Sequence, residues 1–338
     1  MKRHGNLFES CFSMDNLYQA YIDARSGKRY RRATIRFETR LGAWLYYLHK
    51  QIHTGCYQPR PYKRFMVYEP KPREICAPWF GDIVVQHAIY RIIRPILERK
   101  LIDHNYACRP GKGTHAASDY AQNALRKSPD GSYALKLDIR KFFYRINRQI
   151  LRDILAKHIK DKRLLDVMIK FTELPEETGI PIGNLLSQLF ASMYLNPLDH
   201  FIKRTLRVKL YCRYVDDFIL FGLPRDVLLS HRESIVQFIA DNLGLELSKW
   251  TLAPISRGVN FVGYRTWRST RFIRRHSLLT FRRAARKGKT QSLISILGHA
   301  KRTASRRHLV GWLAEKHPNL FKTIPPVVTG LIHRKSHR

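Results

Sequence analysis

Three carboxylates stand out for the company they keep. Tyr214-Val215-Asp216-Asp217 sets two adjacent acids between β-rich arms (209–221, KLYCRYVDDFILF). Neighbouring carboxylates repel, so a fold keeps them where a turn exposes them or a cation neutralises them. A plain hairpin turn also uses such a pair. The third acid, Asp138, lies near the end of the alternating run SYALKLDI (132–139). There Tyr133, Leu135 and Leu137 face one way and Lys136 and Asp138 the other, as a half-buried strand requires. If this strand lies beside the 214–217 hairpin, Asp138 and Asp216 converge with Asp217 close by, and three acids in one small volume need a cation to stay ionised. Oxygen-only ligands suit magnesium. Two such ions, about 3.5–4 Å apart, clamp the attacking and leaving oxygens of a phosphoryl transfer. Phe143 follows Asp138 by five residues. Its ring either lies under the sugar of an incoming nucleotide, where it would exclude a 2′-hydroxyl, or starts the core of the next helix.

The elements that must position these groups are mixed α and β. Helical spacing is present at 41–53 (Leu41, Trp44, Leu45, Leu48) and at 82–102, where Pro95 is expected to kink or restart the helix. A strand is expected at 64–69, ended by Pro70-Lys71-Pro72, and a Gly-rich loop at 109–115 (RPGKGTH). Helical periodicity returns from Ile146 to Ile159, and again over 185–202 with a restart at Asn196-Pro197. A helix at 226–243 and strands at 245–248 and 259–265 follow. The remainder is basic, with helical periodicity around 282–303 and 307–316.

Charge narrows the partner. The 338 residues carry 62 Lys and Arg against 26 Asp and Glu, a formal charge of +36, and the pI is near 10.4. Such a balance makes a polyanion the default partner and argues against a small-metabolite enzyme. Half of the excess falls in residues 265–338, which hold 19 Lys and Arg and one acid, Glu315. A smaller cluster runs from Arg25 to Arg40, with Glu38 its one acid. Solvated faces mix both signs, and these do not. Aromatic residues at 12% and hydrophobic residues at 44% exclude a disordered tail. No run of about 18 apolar residues is long enough to span a bilayer, and no signal-like stretch follows the basic start. Five scattered cysteines without a C-x-x-C pair argue against a disulfide framework or a Cys zinc site. A cytoplasmic protein is expected.

These residues resemble a reverse transcriptase. LDIRKFF and YVDD are similar to the family's catalytic segments, YEPKPREI and YACRPGKGTHAA to bacterial fingers motifs, and NFVGYR (260–265) to the primer-grip hairpin. The resemblance keeps the family's order from about 65 to 265. It implies a right-hand polymerase fold of the α+β class, with fingers, a ferredoxin-like palm on an antiparallel sheet and a helical thumb. The expected divisions are a basic helical extension at 1–60, fingers and palm at 61–264 (palm mainly 131–148 and 196–264) and a basic thumb at 265–338. It implies that Asp138, Asp216 and Asp217, with the Ile139 carbonyl, hold two Mg²⁺ ions, for which Mn²⁺ could substitute. Lys71 and Arg73 would hold the triphosphate, and Phe143, Ile182 and Gln188 would line the nucleotide site. Lys249 is either a general acid for pyrophosphate or a surface lysine. Arg109 and Lys112 are either template contacts or a solvated loop, and Gly263 and Tyr264 would grip the primer.

A finer resemblance rests on Gly179-Ile180-Pro181-Ile182-Gly183-Asn184-Leu185-Leu186-Ser187-Gln188. Intron enzymes and most retroviral-type enzymes tend to carry Gln-Gly and Ser-Pro at its two ends. Ile-Gly and Ser-Gln are similar to reverse transcriptases of diversity-generating retroelements. This implies a template-repeat RNA, an RNA/cDNA duplex, dNTPs and a small helical oligomeric variability protein as partners, with error-prone copying of template adenines and mutagenic retrohoming. Neighbouring readings are retron-, abortive-infection- and intron-type enzymes. A more distant one is a non-catalytic RNA-binding scaffold.

Overall fold

The computed structural model describes residues 3–68 and 72–329. Four helices open the chain: α1 (Phe8–Phe12), α2 (Met14–Arg25), α3 (Arg32–Glu38) and α4 (Leu41–His53). On α4, Leu45, Leu48 and Ile52 recur at helical spacing and are all buried. The antiparallel ribbon β1 (Lys63–Val67) and β2 (Arg73–Ala77) is mostly exposed. Next, α5 (Phe80–Glu98) continues through Pro95 without a restart. The expected break is absent because the buried stripe Val85, Ile89, Ile93, Leu97 continues past the proline, which removes one backbone donor.

α6 (Thr114–Lys127) leads into β3 (Tyr133–Ile139), and α7 (Phe142–Arg145), α8 (Arg148–Ala156), α9 (Lys162–Lys170), α10 (Leu185–Tyr194) and α11 (Asn196–His200) follow. α8 and α9 begin on side-chain caps. Asn147 accepts from Gln149 and Ile150, and Asp161 accepts from Leu164. The hairpin β4 (Leu210–Tyr214) and β5 (Asp217–Leu223), then α12 (Arg225–Leu243) and β6 (Leu247–Pro254), complete the middle of the chain. A four-stranded sheet takes the order β4-β5-β3-β6. β5 pairs antiparallel with both β3 and β4. Phe218, Ile219, Leu220 and Phe221 are all buried, so both faces of β5 are covered, and α6 packs against β4 and β5.

A second sheet is a small antiparallel ribbon of β7 (Val259–Phe261), β8 (Tyr264–Thr266) and β9 (Arg271–Ile273). Helices α13 (Arg275–Arg286), α14 (Thr290–Ala300), α15 (Ser305–Lys316), α16 (Pro318–Lys322) and α17 (Pro326–Thr329) finish the described chain. Their core gathers Phe281, Leu293, Leu297, Leu309 and Leu313 around Tyr264 of the ribbon.

The chain forms two compact units, neither continuous in sequence. One comprises 1–108, 139–207 and 233–249, the other 109–138, 208–232 and 250–338. The first unit holds α1–α5, the β1–β2 ribbon and α7–α11. The second holds α6, β3 up to Asp138, the β4–β5 hairpin, the β7–β9 ribbon and the basic helices.

Candidate active site

The acidic turn belongs to the second unit. Tyr214 pairs with Asp217, so Val215 and Asp216 form a two-residue hairpin turn. Val215 adopts φ +57°, a left-handed conformation that is costly for a β-branched residue. A buried cation answers that cost. Arg213 has no exposed surface, and its Nη1 donates to the Val215 carbonyl at 2.9 Å. β5 begins at Asp217, directly opposite Asp138 on β3. Facing side chains on such a pair have Cβ atoms about 4.5–5.5 Å apart. The register thus sets Asp217, rather than the expected Asp216, opposite Asp138, with Asp216 one residue away in the turn.

Electrostatics mark the meeting. Burial pushes the Asp217 carboxyl up to about 6, Lys136 opposes that rise, and Asp138 and Asp216 add to it. Lys136, on the Asp138 face of β3, places Nζ 2.8 Å from Asp217 Oδ2. Asp217 Oδ1 is buried with no hydrogen-bond partner among the described residues. Among those residues no three His, Cys, Asp or Glu side chains are set around one point as a metal ion requires. An ammonium group thus stands at one oxygen of the acidic turn. The donor set still fits a hard dication: it is all oxygen, adjacent in space at Asp138 and Asp217, and it includes one buried oxygen without a donor.

The expected nucleotide residues lie in the first unit. Ile139 ends β3 and is buried. The chain passes Lys141 at φ +45° into α7. Phe142 is the ring that enters the core, 2% exposed, while Phe143 stays half-buried and edge-on to it, centroids 5.6 Å apart. The Phe143 carbonyl accepts from Ile180 N–H at 2.8 Å. Gly179, at φ +95°, has space for no Cβ: one would sit 3.0 Å from the Tyr144 carbonyl oxygen. Two residues on, the Ile182 carbonyl accepts from Cys76 N–H of β2 at 2.8 Å. Gly183, at φ +104°, presses on Ile75. Segment 179–183 is therefore strung by backbone bonds between α7 and β2, which brings Phe143, Ile182 and Arg73 onto one continuous path. Arg73 and Gln188 are exposed and Ile182 is half-buried.

Residues that sequence reasoning missed hold this segment. Buried Asn184 donates to Tyr62 Oη (2.9 Å) and to the Phe171 carbonyl (3.1 Å). Gln86 accepts from Leu185 N–H at 3.1 Å, and Arg148 donates to the Gly179 carbonyl at 3.0 Å. Their partners are distant in sequence, so no local pattern announces them.

The other expected residues are dispersed. Lys71 lies outside the described residues. Arg109 and Lys112 are half-buried in the loop before α6, where Lys112 N–H donates to the Arg109 carbonyl at 3.1 Å. Lys249 is exposed on β6. Val262 and Gly263 form a two-residue turn, both with positive φ. The ring of Tyr264, a residue expected at the primer, is fully buried. Its hydroxyl bonds to His115 Nδ1 (3.1 Å) and to the His299 carbonyl (2.8 Å), and its ring stacks on His299. Among the described residues no helix is long and apolar enough to cross a membrane.

Comparison with known proteins agrees with this geometry. Residues 69–266 match the family model described as reverse transcriptase (RNA-dependent DNA polymerase), and the chain belongs to that family. It is 24% identical over 278 residues to protein YkfC of Escherichia coli, covering 68% of this chain and 72% of that one. It is 26% identical over 165 residues to the group II intron-encoded protein LtrA of Lactococcus lactis, covering 45% of this chain and 27% of that one. Among solved structures, telomerase from Candida albicans aligns with a TM-score of 0.50 and 14% identity, over 79% of this chain and 57% of that one. Telomerase from Candida tropicalis aligns with the same score and identity, over 82% and 58%. The likeness to telomerase is one of fold: mixed α/β with antiparallel sheets. The chain thus spans little more than a quarter of the Lactococcus protein and just over half of each telomerase.

Proposed function

We propose that this chain is the reverse transcriptase of a diversity-generating retroelement, copying a template-repeat RNA into cDNA with frequent errors at template adenines, for mutagenic retrohoming into a target gene. The observation that carries the reading is Ile182-Gly183 with Ser187-Gln188, in place of the Gln-Gly and Ser-Pro of intron enzymes. An apolar side chain at 182 removes a hydrogen-bonding group from a segment whose backbone is firmly held. A site without that polar group rejects mispairs less strongly.

Reverse transcriptase domains use divalent metal ions. In this reading Asp138, Asp216, Asp217 and the Ile139 carbonyl hold two Mg²⁺ ions, or Mn²⁺ in their place. When bound, such ions supply Lewis acidity and neutralise developing charge on phosphate. Arg73 and Lys71 hold the triphosphate, Phe143 excludes a 2′-hydroxyl, and Gln188 borders the nucleotide. Lys249 donates a proton to departing pyrophosphate. Arg109, Lys112 and the Gly263 backbone contact template and primer, and the basic thumb (265–338) tracks the RNA/cDNA duplex. A small helical variability protein docks on the basic cluster at 25–40 or on the thumb, in the cytoplasm of a bacterial or phage-infected cell.

The similarity to an intron-encoded protein favours a second reading, an intron-type enzyme. Primer extension on an RNA template with dNTPs and Mg²⁺ tests the activity, with Asp216→Asn as control. Extension that vanishes in the variant is expected, and extension that survives it removes the carboxylate assignment. Sequencing the RNA that copurifies separates the two readings: a template repeat supports the first, an intron the second.

A further inference from the structure

We infer that the root of the basic C-terminal module carries a separate nucleic-acid site, a groove that takes an unpaired nucleotide of a single strand. The groove lies wholly within the second unit and encloses about 820 Å³, within the range of small-molecule sites. Strand register lays its floor. Asn260 pairs with Arg265, and Arg265 with Phe272, so the three stand in one row across the β7–β8–β9 ribbon. The opposite face of the ribbon buries Phe261, Tyr264 and Ile273. Phe272 keeps 40% of its surface exposed. Trp267 stands edge-on to Phe272, ring centroids 5.9 Å apart, and the Arg265 guanidinium lies 5.0 Å over the Trp267 ring.

The walls are the first turns of α13 and α15. α15 is held to the ribbon because Ser305 Oγ accepts from Ile273 N–H at 3.1 Å, and Ala304 N–H donates to the Arg271 carbonyl at 2.9 Å. Arg274 and Arg275 join Arg265 in the lining, which contains no acid. Arg274 Nε is a buried donor with no hydrogen-bond partner among the described residues.

Charge and shape select the occupant together. An aromatic ring left exposed in a groove offers a platform on which a base can stack. A purely apolar ligand would have no use for three guanidinium groups, and a simple anion none for the rings. A nucleotide offers a π-face to Phe272 and Trp267 and a phosphate to the arginines. A base inside a duplex has both faces stacked and cannot enter, so the ligand is single-stranded. None of the proposed catalytic carboxylates lines the groove, so the inference goes beyond the catalytic reading and does not rest on it.

The test is fluorescence anisotropy without dNTPs or divalent ions, so that a chain unable to extend a primer would still report on the groove. The probes are a labelled oligo(rA) of about ten nucleotides, its oligo(dA) counterpart and a blunt RNA hairpin. Phe272→Leu keeps apolar bulk and removes the π-face. It should weaken oligo(rA) about tenfold and the hairpin less than about twofold. Equal loss for oligo(dA) means the base and phosphate alone are read, whereas a loss confined to oligo(rA) adds the 2′-hydroxyl. Unchanged oligo(rA) affinity, or an equal loss on the hairpin, overturns the proposal. Tryptophan fluorescence of the unmutated chain gives a second measurement should Phe272→Leu not fold. Oligo(rA) should quench it, and the quench should shrink in Trp267→Phe; a quench that persists undiminished argues against the groove.

Discussion

The Nη1 of Arg213 lies 2.9 Å from the carbonyl oxygen of Val215, and the arginine is fully buried. One of the largest buried side chains in the protein thus grips the left-handed residue of the acidic turn. Arg213→Met should keep the volume and lose the grip. The expected result is a fall in kcat of about tenfold to a hundredfold, the scale that small misplacements produce, with a smaller change in KM for dNTP. Steady-state primer extension measures both, and a melting curve confirms folding. A folded variant with full kcat would show that the turn holds itself.

Divalent ions should stabilise the protein through the same corner. A ligand at about 100 times its Kd adds about 2.7 kcal/mol to folding. Mg²⁺ should therefore raise the melting temperature of the unmutated chain by several degrees, and that of Asp138→Asn by much less. Equal shifts would mean that the ions bind elsewhere.

Asp82, in the first unit, makes a pH prediction. It is 1% exposed and accepts from Tyr57 Oη (2.8 Å) and Arg60 N–H (2.9 Å). Burial raises its carboxyl to about 6 despite these bonds. Below the unfolded value near 3.8 both states are neutral at this site. Above about 6 both are ionised, and the native state carries the buried charge. The unmutated chain should thus lose stability relative to Asp82→Asn as pH rises from about 4 to 6.5, by on the order of 2–3 kcal/mol. Urea unfolding of both proteins across that range measures the difference, and a pH-independent difference would refute the assignment.

Ile182→Gln should restore an amide to the segment strung between α7 and β2. The expected outcome is fewer misincorporations opposite template adenines in sequenced cDNA. An unchanged adenine-specific error spectrum would detach fidelity from this side chain.

Binding to a primer–template should weaken steeply with salt, because each phosphate contact releases counterions. A slope of several units in log K against log salt is expected. Arg283, Arg286 and Lys287 are exposed at the end of α13. Changing all three to Ala should lower the slope by about two to three units, and an unchanged slope would place the duplex on another face.

Much of the acidic corner was readable because strand alternation and a short turn are local signals. β3 alternates as expected from Leu135 to Ile139, with an unforeseen bulge at Tyr133–Ala134, and it sets Asp217 rather than Asp216 opposite Asp138. Other features were invisible for physical reasons. The buried face of α6 is made of Ala117, Ser118, Ala121, Gln122, Ala124 and Leu125, with one large apolar residue among small and polar ones that do not announce a core face. β9 is three residues inside a basic run, defined by its pairing with β8 rather than by its own composition. Arg213 and Asn184 look like ordinary polar residues in sequence. Asn184 gains its role once Tyr62, far away in sequence, arrives beside it, and Arg213 once the turn folds the Val215 carbonyl back onto it. Pro95 misled in the opposite direction, a strong local signal overruled by the packing of α5.

The basic helices are bolted to α6 at several points. Arg271 donates to Ser118 Oγ and Asp119 Oδ1, each at 2.7 Å, Arg302 pairs with the same aspartate, and Tyr264 bridges His115 and His299. The loop of Arg109 and Lys112 enters that same helix at its N-terminus. The loop's helix is therefore tied by side-chain bonds to both the small ribbon and the basic helices.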